Sequence, residues 1–295
     1  MSTTISQSMA DTTVDRAHDL FVCVRTHVLK RIAQTPIGET PFYHSFIENI
    51  FPDDFYAAVR AHSLACKYSG QLQDRHQDNP SFMNRRFNLA KNNDDVVACI
   101  RKVFSDTKVK HALLQKFYVQ PSLDLARSLA IHHEFEYFYT QAGRFQNIHV
   151  DIPPKYVSFV FYVPEHPLPE EEQGRNATVL YDKALTPHYP ARFKENSVCI
   201  FAPHFYSYHG FASTMARDVL VMFYVNKPEL QRWTLARADG RDDPPFEGIR
   251  EAIEDKLRRH PLIEYGPSEE RLLAERAACQ INAPQGRVIA AQPES

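Results

Sequence analysis

The sequence predicts an α+β chain with a mainly β core, a jelly-roll sandwich or barrel flanked by N-terminal helices and a C-terminal helical extension. Three observations carry this. Between Ile131 and Val225, short runs rich in Phe, Tyr, Val and Ile alternate with turn residues, as in a sheet of many short strands. Outside that stretch, apolar residues recur at helical spacing instead. Residues 157–163 are apolar on both alternations, so this strand needs cover on both faces, and the earlier helices supply the outer one.

The elements follow in chain order. Residues 1–13 are Ser/Thr-rich and read as a loose N-terminus. From Val14 to Ile32 an amphipathic helix is expected, with Ala17, Leu20, Phe21, Val24, Val28 and Leu29 at helical spacing; Thr35-Pro36-Ile37-Gly38 ends it. Phe42–Ile47 reads as a short strand. Pro52-Asp53-Asp54 opens the next helix, because proline suits a first turn and acids suit its positive end. Residues 70–86 form a long polar stretch, the kind of loop that is often functional. Residues 85–89 return as a strand. Residues 93–104 and 108–129 read as helices, the second broken at Pro121. Strands are expected at 133–139, 146–151, 156–163, 177–181, 197–202, 205–210 and 217–225. Residues 240–245 are linker-like, and 246–259 and 268–278 read as helices. The organisation is then a single domain over 14–226, with its jelly-roll core at about 131–226, and a helical extension over 227–295.

Composition narrows the function classes. The formal net charge is -2, so no global field recruits nucleic acid or an anionic membrane. No apolar run reaches the roughly 18–20 residues that span a bilayer. The first thirteen residues lack a basic region and an apolar region, which argues against a secretory signal. The five cysteines are odd in number, widely spaced and without Cys-x-x-Cys, as expected of reduced thiols in a cytoplasmic protein.

One constellation carries chemistry. His149 and Asp151 are two apart, so a strand aims both at the same side. His209 offers a third ligand from later in the chain. Two histidines and one carboxylate, with open positions opposite, form the facial triad of non-haem Fe(II) oxygenases. A lone His-x-Asp is common by chance, and most of the 14 histidines are expected to be structural. Arg217 follows His209 by eight residues and opens the apolar run 218–225, placed to hold a carboxylate.

The stretch Gly143 to Lys155, the strand 157–163, the segment Phe201 to Phe211 and the strand 217–224 together resemble the 2-oxoglutarate- and Fe(II)-dependent dioxygenases of the prolyl-4-hydroxylase-like branch. The resemblance covers residues 131–226 closely, 42–59 loosely and 227–295 not at all. It implies a double-stranded β-helix, the cupin-like jelly roll. It implies that His149, Asp151 and His209 carry Fe(II) and that Arg217 grips 2-oxoglutarate, with O2 as the third reactant. Tyr139 and Tyr162 stand where family members use tyrosines to bond the co-substrate; Tyr137 is an alternative to Tyr139. The implied reaction releases succinate and CO2 and oxidises an unactivated C–H bond. A small-molecule substrate, such as an amino acid or a natural-product intermediate, is favoured. A protein or peptide prolyl-type hydroxylase and a non-catalytic cupin-like binding module are the alternatives. The 70–86 loop and an acidic, Pro-rich insert at 164–176 are expected to form a mobile mouth that selects the substrate, and Arg85 and Arg86 are candidates to bind its carboxylate.

Overall fold

The computed structural model describes residues 3–74, 85–89, 94–118, 120–131, 135–152, 154–204 and 206–238. The helices are α1 (Thr3–Gln34), α2 (Asp53–Tyr68), α3 (Asp95–Ser105), α4 (Thr107–Phe117), α5 (Leu123–Ser128), α6 (Glu170–Arg175) and α7 (Lys227–Ala238). The strands are β1 (His44–Glu48), β2 (Gln73–Asp74), β3 (Arg85–Asn88), β4 (Ala130–Ile131), β5 (Glu136–Thr140) and β6 (Phe145–His149). They continue with β7 (Lys155–Tyr162), β8 (Val179–Tyr181), β9 (Pro187–His188), β10 (Ser197–Phe201), β11 (Tyr208–Ala212) and β12 (Arg217–Val225).

Local chemistry explains the helix boundaries. Asp94 caps α3 by accepting from the Val96 N–H at 2.9 Å, and Asp106 caps α4 by accepting from the Lys108 N–H at 2.9 Å. The expected helix over 108–129 is two helices, because Pro121 interrupts it and Ser122 caps a new start at Leu125 N–H, 3.0 Å. Helix α1 begins at Thr3, well before the Val14 start that periodicity suggests, and runs through the stretch read as loose. No glycine or proline occurs before Gln34, so nothing interrupts propagation from the buried stripe Val24, Val28 and Ile32. The helices expected at 246–259 and 268–278 lie outside the described residues.

The strands form two antiparallel sheets. The larger runs β1-β10-β7-β12-β5-β3-β2, with β4 paired to β12; the smaller runs β6-β11-β8-β9. From β5 to β12 the chain passes back and forth between the sheets, which is the double-stranded β-helix. Gly143, at φ +75°, turns the chain from β5 into β6 in a conformation that favours glycine.

The two faces of the larger sheet have different fates. Val157, Phe159, Phe161, Leu220, Met222 and Tyr224 pack outward against the helices. Tyr162, Cys199, Phe201, Val219 and Val221 pack inward toward the smaller sheet. The two-sided apolarity of 157–163 is thus satisfied by helices outside and a second sheet inside.

One polar cluster ties the outer layer together. The Lys67 ammonium of α2 donates to Glu165 at 2.7 Å and to Asp218 at 3.3 Å. The Tyr137 hydroxyl donates to the other Asp218 oxygen. Burial pushes the Asp218 carboxyl up, with Tyr137 and Lys67 opposing. Replacing Lys67 with Met leaves that carboxylate buried without its cation. The expected cost is about 3 kcal/mol, read by denaturant unfolding; a loss below about 1 kcal/mol would show that Tyr137 alone satisfies Asp218.

Candidate active site

Strand pairing brings the three candidate ligands together. His149 closes β6 and lies opposite His209 of β11. Their ring centroids are 4.2 Å apart. Asp151 follows just past β6, with Oδ2 3.9 Å from His209 Nε2. One ligand atom from each residue lies within 4.8 Å of the others, the one such group of three found among the described residues.

The surroundings prepare these atoms for a cation. His209 Nδ1 lies 2.9 Å from the Ser207 carbonyl. A carbonyl only accepts, so Nδ1 carries the proton and Nε2 presents its lone pair. Burial lowers the His209 pKa, against the opposing pull of Asp151 and Ser207, which favours the neutral ring. Burial alone would raise the Asp151 carboxyl. The Lys155 ammonium, His209 and His149 together outweigh it and hold the group well below the usual carboxylate range. Lys155 donates to Oδ1 and Ser158 to Oδ2, each at 2.5 Å. Lys155 itself rests 3.4 Å from the centre of the Phe223 ring. Two imidazoles and an ionised carboxylate are a nitrogen and oxygen donor set that suits Fe(II).

Arg217 starts β12 and is 2% exposed. Its Nε donates to the Asn176 carbonyl at 3.1 Å and its Nη2 to Thr178 Oγ1 at 2.9 Å. The guanidinium lies 3.9 Å from the centre of the Phe211 ring, with Tyr162 and Phe193 at 5.5 and 5.8 Å. Burial lowers its pKa, yet a guanidinium stays charged in proteins. Among the described residues no carboxylate forms an ion pair with it. A buried cation in an aromatic box is electrostatically incomplete without an anion.

The remaining expectations divide. Tyr162 stands beside Arg217, its hydroxyl donating to Thr178 Oγ1 at 2.8 Å and accepting from the Thr178 N–H at 3.1 Å. Tyr139 does not. It pairs with Asp218 in β12, one residue past Arg217, and therefore faces the helices, where Lys67 lies 4.8 Å over its ring. Tyr137 shares that outward face. Strand β5 instead sends Glu136, Phe138 and Thr140 inward. The 164–176 insert is anchored at its end. Its helix α6 ends at Asn176, which is fully buried, accepts from the Thr214 N–H at 2.8 Å and holds Arg217 through its carbonyl. Of the 70–86 loop, 75–84 lie outside the described residues. Arg85 and Arg86 separate by parity: Arg86 faces inward over Phe138 at 4.1 Å and pairs with Glu136 at 3.3 Å.

On the inward face Phe138, Val160 and Phe223 are partly exposed although their strands are central. Lys155, Ser158, Asn176 and Thr178 escaped the sequence reading. They are ordinary residue types whose roles arise from the partner across the fold.

No protein-family model and no curated relative matches the chain. Solved structures do. A *Pseudomonas putida* prolyl-4-hydroxylase superposes with a TM-score of 0.50 at 14% identity, covering 69% of this chain and 98% of the other. This chain has the prolyl-4-hydroxylase fold. Two further matches are a *Trichoplax adhaerens* prolyl hydroxylase in complex with a hypoxia inducible factor peptide fragment and a *Phytophthora capsici* prolyl 4-hydroxylase. Their TM-scores are 0.48 and 0.46, their identities 11% and 14%, and they cover 73% and 91% of this chain and 93% and 90% of their own. The prolyl-4-hydroxylase fold sets the two sheets face to face with the His149, Asp151 and His209 cluster between them.

Proposed function

We propose that this protein is an Fe(II)- and 2-oxoglutarate-dependent oxygenase that oxidises an unactivated C–H bond of a small molecule. The observation that carries the reading is the pairing of two incomplete sites in one barrel. One is a convergent nitrogen and oxygen donor set awaiting a cation. The other is a buried guanidinium awaiting an anion. His149, Asp151 and His209 would hold the iron, and Arg217 with Tyr162 would hold the distal carboxylate of 2-oxoglutarate. Bound iron and the 2-oxo acid supply the oxidation, consuming O2 and releasing succinate and CO2.

The chain's own residues bind and orient. Ser207 keeps the His209 proton on Nδ1. Lys155 and Ser158 hold Asp151 ionised and fixed. Phe211, Phe193 and Tyr162 keep water from the Arg217 end, where a bidentate carboxylate contact gains strength from exclusion of solvent. The inward Arg86–Glu136 pair puts charge on the inner face of the larger sheet beside Phe138, which favours a small polar substrate. The alternative of a peptide substrate rests on fold analogy alone. A reducing compartment such as the cytoplasm agrees with free Cys23, Cys66, Cys99 and Cys199. No helix among the described residues is long and apolar enough to cross a membrane.

Anaerobic titration of the full chain with Fe(II) and then 2-oxoglutarate tests the reading. The expected result is a visible charge-transfer band that saturates at one equivalent of each, followed on admission of air by slow succinate release. A protein that binds neither component is not such an enzyme. A polar small-molecule panel should then stimulate succinate release; stimulation by proline-containing peptides alone would favour the peptide reading.

A further inference from the structure

Strands β6 and β11 are out of step by one residue. His209 lies opposite His149, while Phe211 lies opposite Gln146, so two steps on β11 match three on β6. The extra residue is a β-bulge, a device that re-aims side chains. In a regular strand Gln146 and His149, three apart, would face opposite ways. The bulge returns both to one side. The Gln146 side-chain nitrogen accordingly lies 3.2 Å from His149 Nε2. An amide nitrogen only donates, so it donates to the lone pair that His149 would offer a metal. On its other side Gln146 faces Phe211, whose ring carries the Arg217 guanidinium at 3.9 Å.

Gln146 therefore stands between the metal-ligand nitrogen and the anion shelf. A 2-oxo diacid with one end on the metal and the other on Arg217 would pass this residue. We propose that Gln146 is a further co-substrate-binding residue: once a metal takes the His149 lone pair, the amide N–H is released to donate to the metal-end carboxylate of the 2-oxo acid. The inference rests on the function proposed above and adds a residue to it. It also explains why a bulge interrupts β6 beside the site, where a regular strand would turn the amide away.

The test uses the full chain and separates metal from co-substrate. Co(II) affinity is measured by calorimetry without any 2-oxo acid. 2-Oxoglutarate affinity is measured anaerobically with Fe(II) through the charge-transfer band. For Gln146→Ala the expected Co(II) affinity is within about threefold of wild type, while 2-oxoglutarate binds about tenfold more weakly, the size of a hydrogen bond to a charged group. For the isosteric Gln146→Glu, like charges meet and 2-oxoglutarate binding falls further, while Co(II) binding holds or tightens. That opposite response is one a prop for His149 would not give. If both affinities fall together, Gln146 merely steadies the histidine and the proposal is overturned. Unchanged 2-oxoglutarate affinity in both variants overturns it as well. Gln146→Glu keeps the test alive if the alanine variant fails to fold. A wild type that binds neither Co(II) nor 2-oxoglutarate removes the parent reading and this inference with it.

Discussion

Replacing Arg217 with Met is expected to weaken 2-oxoglutarate binding by about thirtyfold or more and to leave metal binding in place. The guanidinium is enclosed by Asn176, Thr178 and Phe211, so a ligand carboxylate that reaches it would meet it away from water. Truncating one partner of such a buried pair costs roughly 2–5 kcal/mol, which is at least thirtyfold in affinity. The ligand-free stability should move far less, by under about 1 kcal/mol, because removing a buried, anionless cation relieves desolvation as it removes hydrogen bonds. Thermal melting reads both. The wild type should melt higher with saturating 2-oxoglutarate, and the variant should show a clearly smaller rise at the same concentration. A variant that keeps the full ligand-induced shift would mean that the co-substrate carboxylate lies elsewhere.

Replacing His209 or Asp151 with Ala is expected to lower metal affinity by about a hundredfold or more, beyond the range typical of outer-shell changes, and to abolish succinate release. Calorimetry with Co(II) measures the first effect without turnover. Acid should act through the same atoms. His209 has a pKa below its ordinary 6.5, so the unfolded chain takes that proton first. Its contribution to stability is complete above about pH 6.5 and is lost as pH falls through the lowered value. Asp151, held below 3.8, keeps its contribution until much lower pH. Metal affinity should therefore stay level down through about pH 6.5 and decline only as pH falls further, through the lowered value of the folded histidine.

Those experiments bear on residues that were legible in the sequence because their types are rare in combination. A His-x-Asp at a strand end, a later His and an Arg opening the next strand form a pattern of identity as well as spacing. The double-sided strand 157–163 was legible too, since burial on both faces leaves no polar alternation. Tyr139 fails for a reason of parity. Counting back from His149 reaches a tyrosine, but whether an odd or even residue of β5 faces Arg217 depends on register with β12, which no local signal encodes. Gln146 was hidden by the converse case, a bulge that breaks the alternation. The 164–176 insert looks like a solvated loop from its Pro and Glu content. Its structural role depends on Asn176, one polar residue that becomes fully buried only once β11 and β12 are in place.

The contact between Lys155 and Asp151 bears on how the centre would be loaded. Before any metal arrives, the carboxylate already has a counter-ion of its own. Uptake of Fe(II) would then be an ion exchange, in which a divalent cation displaces a tethered monovalent one. The displaced ammonium need not enter water, since the Phe223 ring already cradles it. Such a centre gives up some affinity to the incumbent lysine. In return its carboxylate stays ionised and fixed beside the histidines, and cations too weak to evict an ammonium would be refused entry.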